Sequence, residues 1–202
     1  MSVTRIDRDG VVELVLDRPE RRNAFTTEVM LELRAHLAGL DRPLLLTGAG
    51  DTFCAGADLD EPGTDERFAL VAEVLLALRS LAHPSLAAVH GPAIGGGWGL
   101  ALACDLCFAS RAATFCLPEV AKGFRLPAPL MRRLTEVVGP VRAAELAYAG
   151  TRWGADDALA AGCVTRVYED RDALLAAAWD LCADVATRPL RSLATVKLET
   201  QE

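Results

Sequence analysis

The sequence predicts an α/β domain, and three observations carry that expectation. Short apolar runs suited to buried strands alternate with segments whose apolar residues recur at helical spacing. A short apolar run also passes into a glycine-rich turn twice, at residues 44–57 and again at 86–97. Finally, 51% of the 202 residues are hydrophobic and 24% charged, which supplies the core of one domain and excludes a disordered linker.

Residues 3–6 and 11–16 flank Asp9-Gly10, a hairpin signal because both residues tolerate positive φ. A polar loop over 17–25 carries Arg18, Arg21 and Arg22. A helix follows with Thr26 or Thr27 as N-cap and Met30, Leu33, Leu37 and Leu40 on one face. Residues 43–47 read as a buried strand, ended by Gly48-Ala49-Gly50-Asp51; after Phe53 comes the small-residue loop Cys54-Ala55-Gly56-Ala57-Asp58. An acidic loop through Glu66 leads to a helix aligning Phe68, Val71, Leu75 and Leu78. Next come a strand at 86–90, a turn at 91–96 and a helix at 97–104. Strands at 106–109 and 114–117 follow, the second ended by Pro118-Glu119. From Pro127 the pattern is mostly helical, over 129–138, 140–148, 155–161 (stopped by Gly162) and 170–187, with one strand at 164–167.

The charge balance is 21 Lys+Arg against 28 Asp+Glu, a net −7, and Lys122 and Lys197 are the only lysines. An acidic chain without a basic run argues against a nucleic-acid partner, which requires a positive stripe. Of the six cysteines, only Cys104 and Cys107 form a CxxC pair, and nothing nearby completes a four-ligand metal site. Buried free thiols in a reducing compartment are the expectation. Residues 80–104 carry no formal charge, but Pro84, Pro92 and the run Gly95-Gly96-Gly97 favour strand, turn and buried helix over a membrane span. The first residues lack the apolar stretch and cleavage site of a secretory leader, so a cytoplasmic protein is expected.

Glycine after a buried strand lets a ligand approach backbone N–H groups. Two such turns facing one another can aim two donors at one oxygen, the geometry that stabilises a developing oxyanion. Ordinary strand–helix turns are the simpler reading of glycine content alone. No G-x-x-x-x-G-K-[ST] loop occurs, and no G-x-G-x-x-G follows Val89 in register.

Four segments in order resemble the crotonase (enoyl-CoA hydratase/isomerase) family: residues 16–25, LDRPERRNAF; residues 46–59, LTGAGDTFCAGADL; residues 88–97, AVHGPAIGGG, running on into 100–105; and, more weakly, 155–158 with 162–164. The resemblance covers about three quarters of the chain and implies a spiral of ββα units with a shortened, helical C-terminal part. It implies a single domain, with the spiral core over about 1–125 and mostly helix over about 126–202. By resemblance the substrate is an acyl thioester of coenzyme A or a carrier protein, the CoA being part of the substrate rather than a separate cofactor. A homotrimer or hexamer is also implied, although relatives continue with further helices past the position of Glu202.

The resemblance places the two oxyanion-hole amides on Ala57 and Gly96 and the catalytic carboxylate on Glu119. Ala55, Asp58, Leu59 and Gly95 fall in the substrate-binding turns, with Asp58 orienting its own turn through local bonds. Arg21 and Arg22 are candidates for the CoA phosphates. Family hydratases use two carboxylates, and the position of the first is occupied here by Gly99. One carboxylate suffices to move a double bond, so isomerase chemistry is expected ahead of hydratase, decarboxylase or hydrolase chemistry. A catalytically weak thioester- or partner-binding member is the remaining alternative.

Overall fold

The computed structural model describes residues 2–200. In chain order the elements begin with the strands β1 (Val3–Arg8) and β2 (Val11–Leu16), helix α1 (Thr27–Leu37), β3 (Leu44–Gly48) and α2 (Asp65–Arg79). They continue through β4 (Ser85–Val89), β5 (Pro92–Ile94), α3 (Gly96–Ala103), β6 (Leu106–Ser110) and β7 (Thr114–Cys116). The last third holds α4 (Ala128–Val138), α5 (Pro140–Ala149), β8 (Trp153–Gly154), α6 (Ala155–Ala160), β9 (Arg166–Tyr168), α7 (Arg171–Ala186) and α8 (Leu190–Glu199).

The expected hairpin opens the chain: Asp9 and Gly10 both take positive φ, and Arg8 pairs with Val11. The larger sheet runs β1-β2-β3-β4-β6-β9, antiparallel only in that hairpin and parallel elsewhere. Parallel neighbours need crossovers, and α1, α2 and α3 supply them in turn. Because β3 is covered on both faces, it reads as an unbroken apolar run rather than an alternating one. Leu44 and Leu46 point into the main core, while Leu45 points to a second core beneath α7, where Leu174, Ala178 and Cys182 pack.

A second layer of pairing runs alongside. Phe25 bridges to Ala57, Cys54 bridges to Ala93, and β5 pairs with β7, which pairs in turn with β8. Each turn of the chain therefore lays a long strand in the large sheet, a short stretch against the next turn, and then a helix. That is the expected spiral of ββα units, with helices dominating after residue 126.

Several elements differ from the sequence reading. The expected turn at 91–96 contains β5, three residues between Gly91 and Gly95 that only pairing with β7 reveals. The acidic loop ends earlier than expected: the Thr64 hydroxyl accepts the Arg67 N–H, and Asp65 and Glu66 form the first turn of α2, where the helix dipole favours them. The strand expected at 164–167 forms at Arg166–Tyr168. Strand β8 and helix α8 were not anticipated. Helix α8 exposes Leu190, Val196 and Leu198 and is fastened instead by buried Lys197, whose ammonium donates to the Asp105 carboxylate at 2.9 Å and to the His83 carbonyl at 3.2 Å.

Where successive turns cross, backbone lies directly on backbone. A Cβ at Gly97 would sit 2.4 Å from the Cys54 carbonyl oxygen, and one at Gly56 would sit 2.7 Å from that of Ile94. Replacing Gly97 by Ala should therefore lower stability by about 1–3 kcal/mol through overpacking. Gly63→Ala, at a site with nothing within 4 Å and no positive φ, should stay within about 0.5 kcal/mol. Urea melts of the two variants compare these costs.

Candidate active site

Two peptide planes define the site. Phe25 donates its N–H to the Gly56 carbonyl at 2.9 Å and accepts the Asp58 N–H at 2.9 Å. In a trans peptide the carbonyl and the following N–H point in opposite directions. With the Gly56 carbonyl fixed on Phe25, the Ala57 N–H points the other way, and Ala57 lines a cavity. The same logic holds at Gly95, whose carbonyl accepts the Gly99 N–H at 3.0 Å inside the first turn of α3. The Gly96 N–H therefore projects outward from the helix N-terminus, at the positive end of its dipole. Gly95 makes this entry possible with a φ of 58°. The two turns touch, since a Cβ on Gly56 would lie 3.7 Å from the Gly96 nitrogen.

Glu119 follows β7 and folds its carboxylate over the second turn. A Cβ at Gly95 would fall 2.3 Å from Glu119 Oε1, so a side chain there would displace the carboxylate as well as strain a backbone at positive φ. Oε2 is buried without a hydrogen-bond partner. Burial pushes the Glu119 carboxyl up to about 7, against the downward pull of its own N–H, Lys122 and the Gly96 N–H.

The cavity holding these groups has a volume of about 330 Å³. Ala55, Gly56, Ala57, Asp58 and Leu59 form one wall, Gly95, Gly96 and Glu119 another, and Phe25, Phe68, Val71 and Phe124 supply apolar surface. Three carboxylates line it, Asp58, Glu61 and Glu119, and two of them are committed to other groups. Asp58 accepts from Arg21, Arg18 and the Asp60 N–H; burial alone would raise its pKa, and these donors together bring it below the usual carboxylate value. Glu61 accepts the Thr27 N–H at 2.8 Å and pairs with Arg67 at 3.1 Å.

The structure thus gathers Glu119, Ala57, Gly96, Ala55, Asp58, Leu59 and Gly95 around one space. Arg21 and Arg22 are not in its lining. The Arg21 guanidinium is engaged by Asp58 and Asp60, whereas Arg22 is exposed and makes no ion pair among the described residues. The Arg22 carbonyl accepts the Ala55 N–H, which keeps that arginine next to the first turn. Gly99 is buried under Leu130, whose Cδ1 would lie 2.8 Å from an added Cβ. Trp98 lies in the core, with Phe115 and Trp153 rings at 5.6 and 5.9 Å, and His90 packs at a strand end with Nε2 3.0 Å from the Gly50 carbonyl oxygen.

Sequence reasoning missed Arg67, Phe68 and Val71 as cavity residues. Phe68 and Val71 carried a signal, the apolar face of α2, but helical spacing does not distinguish core from cavity wall. Lys122, three residues past Glu119 and one of two lysines, was a second overlooked signal. All six cysteines are unpaired and buried; burial pushes the Cys54 and Cys104 thiols up to about 12 and that of Cys163 to about 11. Among the described residues no cluster could hold a metal ion, and no helix is long and apolar enough to cross a membrane.

The enoyl-CoA hydratase/isomerase family model matches residues 7–202. The chain belongs to the enoyl-CoA hydratase/isomerase (crotonase) family. It is 36% identical over 187 residues to mevalonyl-coenzyme A hydratase of Aspergillus fumigatus, a match spanning 87% of this chain and 69% of that one. It is 32% identical to the mitochondrial Δ(3,5)-Δ(2,4)-dienoyl-CoA isomerase of mouse, over 88% of this chain and 62% of the isomerase. The fold superposes on enoyl-CoA hydratase of Bacillus anthracis with TM-score 0.93 and 28% identity, covering 100% of this chain and 83% of that one. A Thermobifida fusca enoyl-CoA hydratase candidate solved in complex with CoA gives TM-score 0.90 at 33% identity, covering 97% and 82%. The family acts on acyl-CoA thioesters, with isomerases and hydratases both among these relatives.

The raised Glu119 pKa has a consequence for stability. Between about 4.5, the ordinary value, and about 7, the folded protein holds a proton that the unfolded chain has released, so this group's contribution falls as pH rises through that window. Glu119→Gln should match the parent in melting temperature below pH 4.5 and exceed it by a few degrees above pH 7. Thermal melts across that range measure the gap.

Proposed function

We propose that this chain is an enoyl-CoA isomerase that shifts a double bond through a dienolate, with Glu119 as its single acid–base group. The observation that carries the reading is that Glu119 holds the one uncommitted carboxylate among the described residues lining the cavity, against the turn that presents the Gly96 N–H.

In the reaction, the Glu119 carboxylate takes a proton from C2 of a 3-enoyl thioester. The C–H electron pair moves into the C1–C2 bond, and the carbonyl electrons move onto oxygen. The N–H groups of Ala57 and Gly96 hold the resulting dienolate oxygen; loss of one such donor typically costs about 10²–10³ in rate. Glu119 then returns the proton to C4, leaving the 2-enoyl thioester. A carboxyl titrating near 7 suits both halves, since it is neither too weak a base to take the proton nor too weak an acid to return it. Hydration would require a second carboxylate to share a water, and the buried Gly99 beneath Leu130 provides none.

Arg22 and Lys122 would meet the CoA phosphates as they cross the cavity mouth, and Phe68, Val71 and Phe124 would sheath the acyl chain. The CoA-bound Thermobifida fusca relative supports CoA over a carrier protein.

Purified protein given 3-enoyl-CoA should yield 2-enoyl-CoA, followed by thioester absorbance and mass, with hydration of 2-enoyl-CoA far slower. Glu119→Gln should lower kcat by about 10²–10⁴. In the parent, kcat/KM should climb with pH to a plateau above about 7, where the carboxylate is ionised. Undiminished turnover by the variant, or hydration outpacing isomerisation, would overturn the reading.

A further inference from the structure

Arg67 is the least expected polar residue of the site. It sits in the first turn of α2, 7% exposed, yet its guanidinium reaches across to three backbone carbonyls. Nη1 donates to the Glu61 carbonyl at 2.8 Å, and Nη2 donates to those of Phe25 at 2.9 Å and Asp58 at 3.0 Å. Its Nε lies 3.1 Å from Glu61 Oε2, the oxygen that also accepts the Thr27 N–H at the start of α1. One planar fork thus ties α2 to the chain on both sides of the bridge between Phe25 and Ala57.

Phe25 is the pivot of that arrangement. Its N–H holds the Gly56 carbonyl, which directs the Ala57 N–H, and its ring lies beneath Gly96, where a Cβ would be 2.6 Å from Cζ. The backbone of Phe25 therefore sets the aim of one amide while its ring supports the other. Arg67 grips the Phe25 carbonyl and the Asp58 carbonyl together, fixing the spacing of the two strands that the bridge joins. A buried guanidinium is a costly way to fasten a loop even with the Glu61 carboxylate beside it, since its charge must be desolvated. Its placement around the amide-bearing peptide gives that cost a role.

We propose that Arg67 is a positioning residue that sets the direction of the Ala57 N–H toward the substrate carbonyl, an inference that rests on the isomerase reading above. It touches no reacting atom; its effect passes through Phe25 and Asp58. Loss of Arg67 leaves the cavity open and the base in place but lets the first peptide plane swing. The defect falls on the step in which charge builds on oxygen, so kcat drops while KM holds.

The experiment uses a saturated acyl-CoA carrying ¹³C at the thioester carbonyl, with isotope-edited infrared spectra of the bound ligand. In the parent the carbonyl stretch should fall below its value in free solution, because two amides polarise it. Arg67→Met should lose most of that fall and lower kcat about ten- to a hundredfold, with KM little changed. Arg67→Lys keeps the charge without the fork; it should lie between the two, and it carries the test if the methionine variant does not fold. Glu119→Gln should keep the full carbonyl shift while losing turnover. An undiminished shift in the folded Arg67 variants, or a loss confined to KM, overturns the proposal for Arg67. No shift in the parent itself overturns the oxyanion reading on which it rests.

Discussion

The planarity of two peptide bonds governs this molecule more than any side chain does. Because the Gly56 carbonyl is held by Phe25 and the Gly95 carbonyl by Gly99, the next N–H in each case has one direction left to it. Neither peptide could lie where it does if the chain did not cross itself at van der Waals limits, and that crossing requires glycine at 56 and 97. The large sheet, the bridges alongside it and the helices behind it stack successive turns of chain closely enough for two loops, some forty residues apart in sequence, to share one cavity.

Glu119 takes its character from the same compression. Its carboxylate occupies the space a side chain at Gly95 would fill, and burial there disfavours the ionised form and makes the carboxylate a stronger base. The neighbouring Asp58 shows the opposite outcome in the same cavity. It is surrounded by Arg18, Arg21 and a backbone N–H, and it titrates below the ordinary range. Two carboxylates lining the same cavity are driven in opposite directions by how many donors reach them.

How much of this the amino-acid order reveals depends on whether an element is specified locally. The Asp9-Gly10 hairpin, the α1 stripe of Met30, Leu33 and Leu37, and the doubly covered strand at Leu44 carry their own patterns and form as expected. Ala57, Gly96 and Glu119 were legible through ordered motifs, and the structure gathers them around one cavity. Strand β5 was not, because three residues between glycines become a strand only when Cys54 and β7 arrive beside them. Helix α8 was not, because its anchor is one buried ammonium on Asp105, from a strand boundary ninety-two residues earlier, rather than an apolar face. Arg67 was missed for a related reason: backbone carbonyls, its main partners, leave no mark in a sequence.

The scarcity of lysine acquires a practical meaning once the two are placed. Lys197 is sequestered in its contact with Asp105, whereas Lys122 is exposed on the segment that borders the cavity. Amine-directed reagents therefore find a single accessible side-chain target, at the rim of the cavity. A ligand seated in the cavity should shield that amine, so the rate of its acylation would report occupancy without engineering a handle into the protein.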